Sequence, residues 1–438
     1  MMTSPPKKED PFITNTTVVR RPYWTVLFVV GVMFVLYILD APIKFGRAIS
    51  LDQTKSMAPI IVRVCLVLFM CGNIVMRVLS GAKLFTLFNM FLFSFAGINL
   101  FYMYKLGWTP LMFGIEAYRY LYWFIIFLFF FTNAYQFRIN NSLINKLLLP
   151  WFFFVFFQVV IMNLERAGST GSLNLLAINA GYIALDFLPL FLILNGNKKG
   201  LMNAPYFIIV MIGIVLLVSL KRGAILSYLL GVMAYIGLKE KIETGSLVSL
   251  FRTAFKFGIM IILLAIPFLL KADQLMHRFA DTTGSGRTTL YKLIYDHWLM
   301  GSLSDKIFGY GYISVKSYLD AKFNCPIYAH SDFLEYLHDY GLLGISIYVC
   351  IHLALIHVLY RLYTKRHWMC PVLGCFYVIF LCRAIYSGVF AIGPAFALGA
   401  MFLGLLGGYY YKLRDLHVKK QKVGTAWGVP KTQNMIPG

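Results

Sequence analysis

The sequence predicts an all-α polytopic membrane protein with about twelve transmembrane helices, both termini in the cytoplasm, and one large extracytoplasmic loop with short helices between helices nine and ten. Three observations predict it. Of 438 residues, 59% are hydrophobic and only 13% charged, where a soluble domain is about a quarter charged. Mean hydropathy is +0.72. The apolar residues also fall in long runs separated by short polar connections, and a helical span needs about 20 of them.

The runs lie near 23–40, 57–76, 84–104, 117–136, 147–164, 173–194, 204–220, 222–238, 250–270, 341–360, 369–387 and 391–411. The first is longer than a signal-peptide core and lacks a small-residue cleavage signal, so it reads as an uncleaved helix. The seventh and eighth are separated only by Lys221 and Arg222. Read as one helix they would be too long for ordinary tilt, so the chain is expected to turn there.

Basic residues test the count, because Lys and Arg concentrate in cytoplasmic connections. Arg77 and Lys83 follow the second run, Arg138 and Lys146 the fourth, Lys198 and Lys199 the sixth. Lys239, Lys241, Arg252 and Lys256 follow the eighth, and Arg361, Lys365 and Arg366 the tenth. The C-terminal tail adds Lys412, Arg414, Lys419, Lys420, Lys422 and Lys431. The opposite connections are poorer, with Lys44, Arg47, Lys55, Lys105, Arg119, Arg166, Lys221, Arg222 and Arg383. Omitting the turn at 221–222 would reverse every later connection. The expected divisions are helices one to nine in 1–271, the loop in 272–340, helices ten to twelve in 341–411 and a basic cytoplasmic tail in 412–438.

The formal charge of +22 is dispersed over these connections and sets topology; no basic stripe with interleaved aromatics suggests nucleic acid. Aromatic residues make up 17%, which suits interfacial and lipid-facing positions. Six of the seven cysteines fall in apolar runs, and Cys325 has no partner in the loop, so neither a disulfide framework nor a zinc site is expected.

The loop is polar and carries its own helix signals. Thr288–Trp298 reads as an amphipathic helix with Leu290, Leu293, Ile294 and Trp298 near one face. Phe308-Gly309-Tyr310-Gly311-Tyr312 reads as a turn. Ser331–Tyr340 reads as a helix that approaches the next span and ends at Gly341. A loop this long inside a compact protein is uncommon unless it is functional.

Costly or reactive side chains mark candidate chemistry. Lys221 and Arg222 are two adjacent cations on the side that ordinarily avoids them. They fit an anion site, with arginine as a planar fork for phosphate oxygens, or interfacial anchoring. Arg287, after Gly284-Ser285-Gly286, opens the loop helix, where exposed N–H groups also favour anions; a solvated loop arginine is the other reading. His330 could be a general base or position a hydroxyl, with Asp332 and Glu335 near enough to orient it, or could simply bond the backbone at a helix start. His338 lies eight residues on, too far to share a metal ion with it. Arg383, near the outer end of the eleventh run, could add charge to the same cleft. Arg63, Asp186, His352 and His357 are ionisable groups within apolar runs.

Taken in order, these motifs resemble the O-antigen ligase/polymerase superfamily. The resemblance runs from Lys221-Arg222-Gly223-Ala224 through Ser285-Gly286-Arg287 and Phe308-Gly309-Tyr310-Gly311 to His330-Ser331-Asp332-Phe333-Leu334-Glu335 and Tyr340-Gly341-Leu342-Leu343-Gly344. Lys221 stands where the family has serine, and Ser331 where asparagine often follows the histidine. The resemblance implies a multi-pass protein of the bacterial inner membrane whose active site faces the periplasm. It implies a glycosyltransferase that takes a glycan from undecaprenyl diphosphate and transfers it, with inversion, to a sugar hydroxyl. The acceptor would be lipid A core for a ligase or a lipid-linked repeat unit for a polymerase. Arg222 and Arg287 would hold the diphosphate and His330 would activate or position the acceptor. Lys221, Arg383, Asp332 and Glu335 would contact substrate. With cations available and no acidic metal cluster in the loop, transfer is expected to need neither metal nor cofactor. A transporter or flippase for lipid-linked sugar is the rival class, but its polar site would be expected at mid-membrane rather than in one loop.

Overall fold

The computed structural model describes residues 23–40, 57–107, 109–136, 141–170, 180–195, 205–219, 221–245, 251, 255, 258, 287–324, 327–389 and 396–426. Among these residues every regular element is a helix. In chain order they are α1 (Tyr23–Asp40), α2 (Met57–Leu79), α3 (Leu87–Lys105), α4 (Pro110–Gln136), α5 (Asn141–Thr170), α6 (Ala180–Asn195), α7 (Pro205–Ser219) and α8 (Arg222–Glu243). Then follow α9 (Arg287–Met300), α10 (Leu303–Phe308), α11 (Ser314–Phe323), α12 (Asp332–Thr364), α13 (Met369–Tyr386) and α14 (Ala397–Ala426).

Eleven of the twelve apolar runs coincide with a described helix; of the run near 250–270 only residues 251, 255 and 258 are described. Among the described residues, six helices are long and apolar enough to cross a membrane, carried by α2, α3, α5, α8, α12 and α13. A seventh is α4, if its two halves, bent by 43° between Tyr118 and Tyr120, form one span. The apolar parts of α1, α6 and α7 are shorter. α7 ends at Ser219 and α8 begins at Arg222, so these two runs are separate helices, as the two basic residues predict.

Two helix pairs approach closely because glycine removes side-chain bulk at the crossing, a common device where helices associate in lipid. A Cβ at Gly404 or Gly408 of α14 would lie 2.5 Å from the carbonyl oxygen of Phe127 or Phe131 of α4. Gly231 of α8 gives the same access to Ile379 and the Cys375 carbonyl of α13. Beyond residue 411, α14 continues into the basic tail to Ala426. Lys, Leu, Arg and Gln sustain a helix once the apolar run ends, so the helix outlasts the predicted span.

The loop forms a small domain of its own. Ile294, Val315, Leu319 and Ala329 are buried together, with Leu290, Leu293 and Leu334 packed against them. The predicted amphipathic helix is α9, and Leu290, Leu293 and Ile294 are the face it buries; Trp298 is half-buried. Gly309 and Gly341 join this domain to the bundle. Both have positive φ, at 75° and 61°, and each backbone presses on the other's segment. A Cβ at Gly309 would meet the Asp339 carbonyl at 2.4 Å, and one at Gly341 the Ile307 carbonyl at 2.5 Å. Only glycine meets both demands. The backbone then locks: Tyr310 N–H donates to His338 and Gly311 N–H to Asp339. α12 breaks its helical path at Gly341, where the loop helix 332–340 ends and the apolar span begins.

Candidate functional site

His330 lies on the short segment that enters α12. Its φ of 58° is left-handed, a conformation few non-glycine residues hold without support. Support comes from three sides. Glu335, one turn into α12, is buried and bonded to the backbone of Ala329. Asp332, also buried, accepts the Val389 N–H at 2.9 Å and the Tyr348 hydroxyl at 3.1 Å. The hydroxyl of Tyr291 lies 3.1 Å from the carbonyls of both His330 and Ile385. Asp332 and Glu335 therefore turn inward and hold the backbone that carries His330.

Arg287, the first residue of α9, reaches the same place. Its Nη1 donates to the Tyr386 carbonyl at 2.5 Å, at the last turn of α13, where a helix presents unpaired carbonyls. Tyr291 stands one turn later on the same face of α9, so both residues bind the end of α13. Lys221, in the connection before α8, completes the cluster. Burial and then the Arg287 charge pull its ammonium below its ordinary pKa. Burial, then Arg287, then Lys221 do the same to His330, while a backbone hydrogen bond with Ser387 opposes them. A bond that favours protonated imidazole is one the ring donates, so it orients the ring and leaves the other nitrogen as acceptor.

The sequence-selected residues divide accordingly. Lys221, Arg287 and His330 come together. Arg222 opens α8 beside Lys221 and is half-buried. Arg383 is buried and ion-paired with Asp186 of α6. Its guanidinium carbon stands 5.2 Å from the centroid of the Tyr182 ring, and the Lys221 Nζ 5.6 Å from the same centroid. Gly284-Ser285-Gly286 and Cys325 lie outside the described residues. His352 is buried among Phe333, Tyr348 and Phe380, whereas His357 is exposed.

Sequence reasoning missed Tyr182 and Tyr291. The one-turn spacing from Arg287 was a signal for Tyr291. Tyr182 left no local signal, because α6 meets the 219–223 connection only in three dimensions.

His338 belongs to a different arrangement. It is buried, and its Nδ1 lies 2.9 Å from the Ser314 hydroxyl, which donates to Asp339 Oδ1 at 2.7 Å. Its Nε2 lies 2.8 Å from His297 Nδ1. Because Ser314 gives its proton to the carboxylate, His338 Nδ1 donates to Ser314 and Nε2 accepts from His297. Asp339 also accepts the N–H groups of Ile313 and Val315 at 3.0 Å, capping α11, whose own N-cap offers no side chain. His338 thus fastens the loop domain, one turn beyond the His330 support. Among the described residues, no three His, Cys, Asp or Glu side chains are grouped to hold a metal ion.

A helical membrane protein with a cluster of cations and aromatic rings where its loop domain meets the bundle is the class that this fold and site define. Residues 207–349 match the family model described as O-antigen ligase, and this segment belongs to the O-antigen ligase/polymerase superfamily. The matched residues include Lys221, Arg222, Arg287 and His330, and the loop domain with them. No curated protein matches the chain.

Proposed function

We propose that the protein is a membrane glycosyltransferase of the O-antigen ligase type. It moves a glycan from undecaprenyl diphosphate to a sugar hydroxyl of lipid A core at the periplasmic face of the inner membrane. The observation that carries this reading is the convergence of Lys221 and Arg287 on His330, held by the end of α13.

Breaking the bond between the anomeric carbon and the diphosphate leaves negative charge on the departing oxygen. Fixed cations aimed at that charge lower the barrier more than they stabilise bound donor. Arg287 and Lys221, with Arg222 beside them, supply this. His330 takes the proton of the acceptor hydroxyl as its oxygen bonds to the anomeric carbon, and the electron pair of the broken bond leaves with the diphosphate. Displacement from the opposite face inverts that carbon. An imidazole drawn below its ordinary pKa by burial, Arg287 and Lys221 is neutral at pH 7 and able to accept the proton. Asp332 and Glu335 act through His330, by holding its backbone, and no step requires a metal or cofactor.

A polymerase would use the same chemistry with a lipid-linked repeat unit as acceptor. The layout favours the ligase: one dominant loop follows short outer connections, which leaves little protein on that face to grip two long polymers. Deleting the gene and resolving surface glycan on a gel tests the choice. Ligase loss leaves lipid A core bare while long chains accumulate on the polyprenyl carrier. Single repeats on lipid A core in the deletion strain would instead establish the polymerase.

A further inference from the structure

Lys221 is one of two residues at which this chain departs from the motifs it resembles, the other being Ser331, and the surroundings of Lys221 are built. Gly181 and Tyr182, at the start of α6, nest into the 219–223 connection. A Cβ at Gly181 would lie 2.5 Å from the Ser219 hydroxyl and 3.6 Å from the Lys221 Cβ. A Cβ at Gly223 would lie 2.4 Å from the Tyr182 hydroxyl. The two glycines therefore fix the Tyr182 ring against the backbone that carries Lys221.

The ring in turn lies between charges. Lys221 Nζ and the Arg383 guanidinium approach it at 5.6 Å and 5.2 Å from the centroid, within reach of a cation–π attraction. Two cations on one buried ring would repel each other. Asp186 removes that conflict. It stands one turn after Tyr182 on α6 and is ion-paired with Arg383, both side chains about 5% exposed. The ring thus meets one neutralised pair and one ammonium.

We propose that Asp186, through Arg383 and the ring of Tyr182, positions the Lys221 ammonium beside Arg287 and His330. Lys221 is the site cation, and Tyr182, Arg383 and Asp186 are positioning residues. The inference rests on the reading of this cleft as the diphosphate site. It gives the serine-to-lysine departure a physical support: without the ring, a lysine next to Arg287 would swing to solvent, since like charge repels it and its stem is flexible.

The charge on Lys221 is felt at His330, and that offers a test on the apo protein. The groups facing His330 are Arg287 and Tyr291 from α9, Lys221 from the α7–α8 connection, and Ser387 after α13. Asp332 and Glu335 follow it on α12, turned to Val389 and Ala329. The pH midpoint of His330 is read from its carbethoxylation rate by diethyl pyrocarbonate, mapped by mass spectrometry on the full-length protein in detergent. Lys221→Met is expected to raise the midpoint by about half a pH unit or more, because a neighbouring positive charge has gone. Tyr182→Leu should raise it equally, and the double variant no further, since both remove one effect. Tyr182→Phe, which keeps the ring, should stay at the wild-type midpoint. Tyr182→Met keeps the bulk and replaces Tyr182→Leu should that protein not fold. A wild-type midpoint in the ring-less variant, or additive shifts in the double, overturns the proposal. No donor is needed, so absence of glycan transfer by the wild-type protein would defeat the proposed function without touching this result.

Discussion

Arg287 Nη1 donates to the Tyr386 carbonyl at 2.5 Å, tying the first residue of the loop helix to the last turn of a bundle helix. One arm of the guanidinium is thereby fixed, and a fork held by one arm arrives at a phosphate already oriented. Arg287→Ala should lower kcat/KM by about a hundredfold, about 3 kcal/mol of transition-state stabilisation. Arg287→Lys should restore only part, because an ammonium cannot hold the carbonyl and a phosphate oxygen in one plane. Steady-state transfer kinetics of the two variants check this.

His330 and His338 should fail in different ways. His330→Ala should cost about 10²–10⁴-fold in rate, the range of general-base loss, with little change in thermal stability. His338→Ala removes the link between Ser314 and His297 and leaves polar groups buried without their partner. It should destabilise the loop domain by about 1–3 kcal/mol and lower activity only through that. Thermal unfolding beside activity separates the two; equal effects on both readouts would mean that the roles are misassigned.

The pH dependence follows from the direction of the His330 shift. Its folded pKa is depressed, by burial first and then by Arg287 and Lys221, so folding favours the neutral ring. That contribution is fully present above the ordinary imidazole value and is lost as pH falls through the lower, folded one. Transfer should therefore be flat through neutral pH and fall on an acid limb below about pH 6.5. Lys221→Met should move that limb toward higher pH while lowering the plateau. A limb that moves to lower pH would contradict the assigned neighbours.

Much of the fold was legible because its forces are local. Apolar runs marked the helices, and paired basic residues marked the break between α7 and α8. Glycine spacing marked the Gly309 and Gly341 junction. The last helix runs on past the apolar run to Ala426, because a helix does not end where hydrophobicity does. In the site, Arg287 and His330 stood out as chemistry-bearing residues beside recognisable helix starts. What stayed hidden was pairing across the bundle. Asp186 was visible as an ionisable group within an apolar run and Arg383 as a cation near the outer end of another, but nothing in the chain between them says that they meet. Spacing put Asp332 and Glu335 near enough to orient His330; that both are buried and bonded to the backbone was not legible in the chain.

The sidedness we propose from the charge bias is checked by cysteine accessibility in a cysteine-free background. Positions in 272–340 should label with impermeant maleimide from the periplasm, and positions in 412–438 only from the cytoplasm. Labelling of both from one side would mean an even number of spans between them.

The central claim is that this cleft transfers a glycan from a polyprenyl diphosphate. The direct measurement is transfer by purified protein in detergent, with undecaprenyl-diphosphate-linked glycan as donor and lipid A core as acceptor, in the presence of EDTA. The wild-type protein should form the glycosylated lipid and release undecaprenyl diphosphate in equal amounts, and His330→Ala should form about a hundredth as much or less. Transfer by His330→Ala at the wild-type rate, or wild-type activity that appears only when Mg²⁺ or Mn²⁺ is restored, would contradict the account.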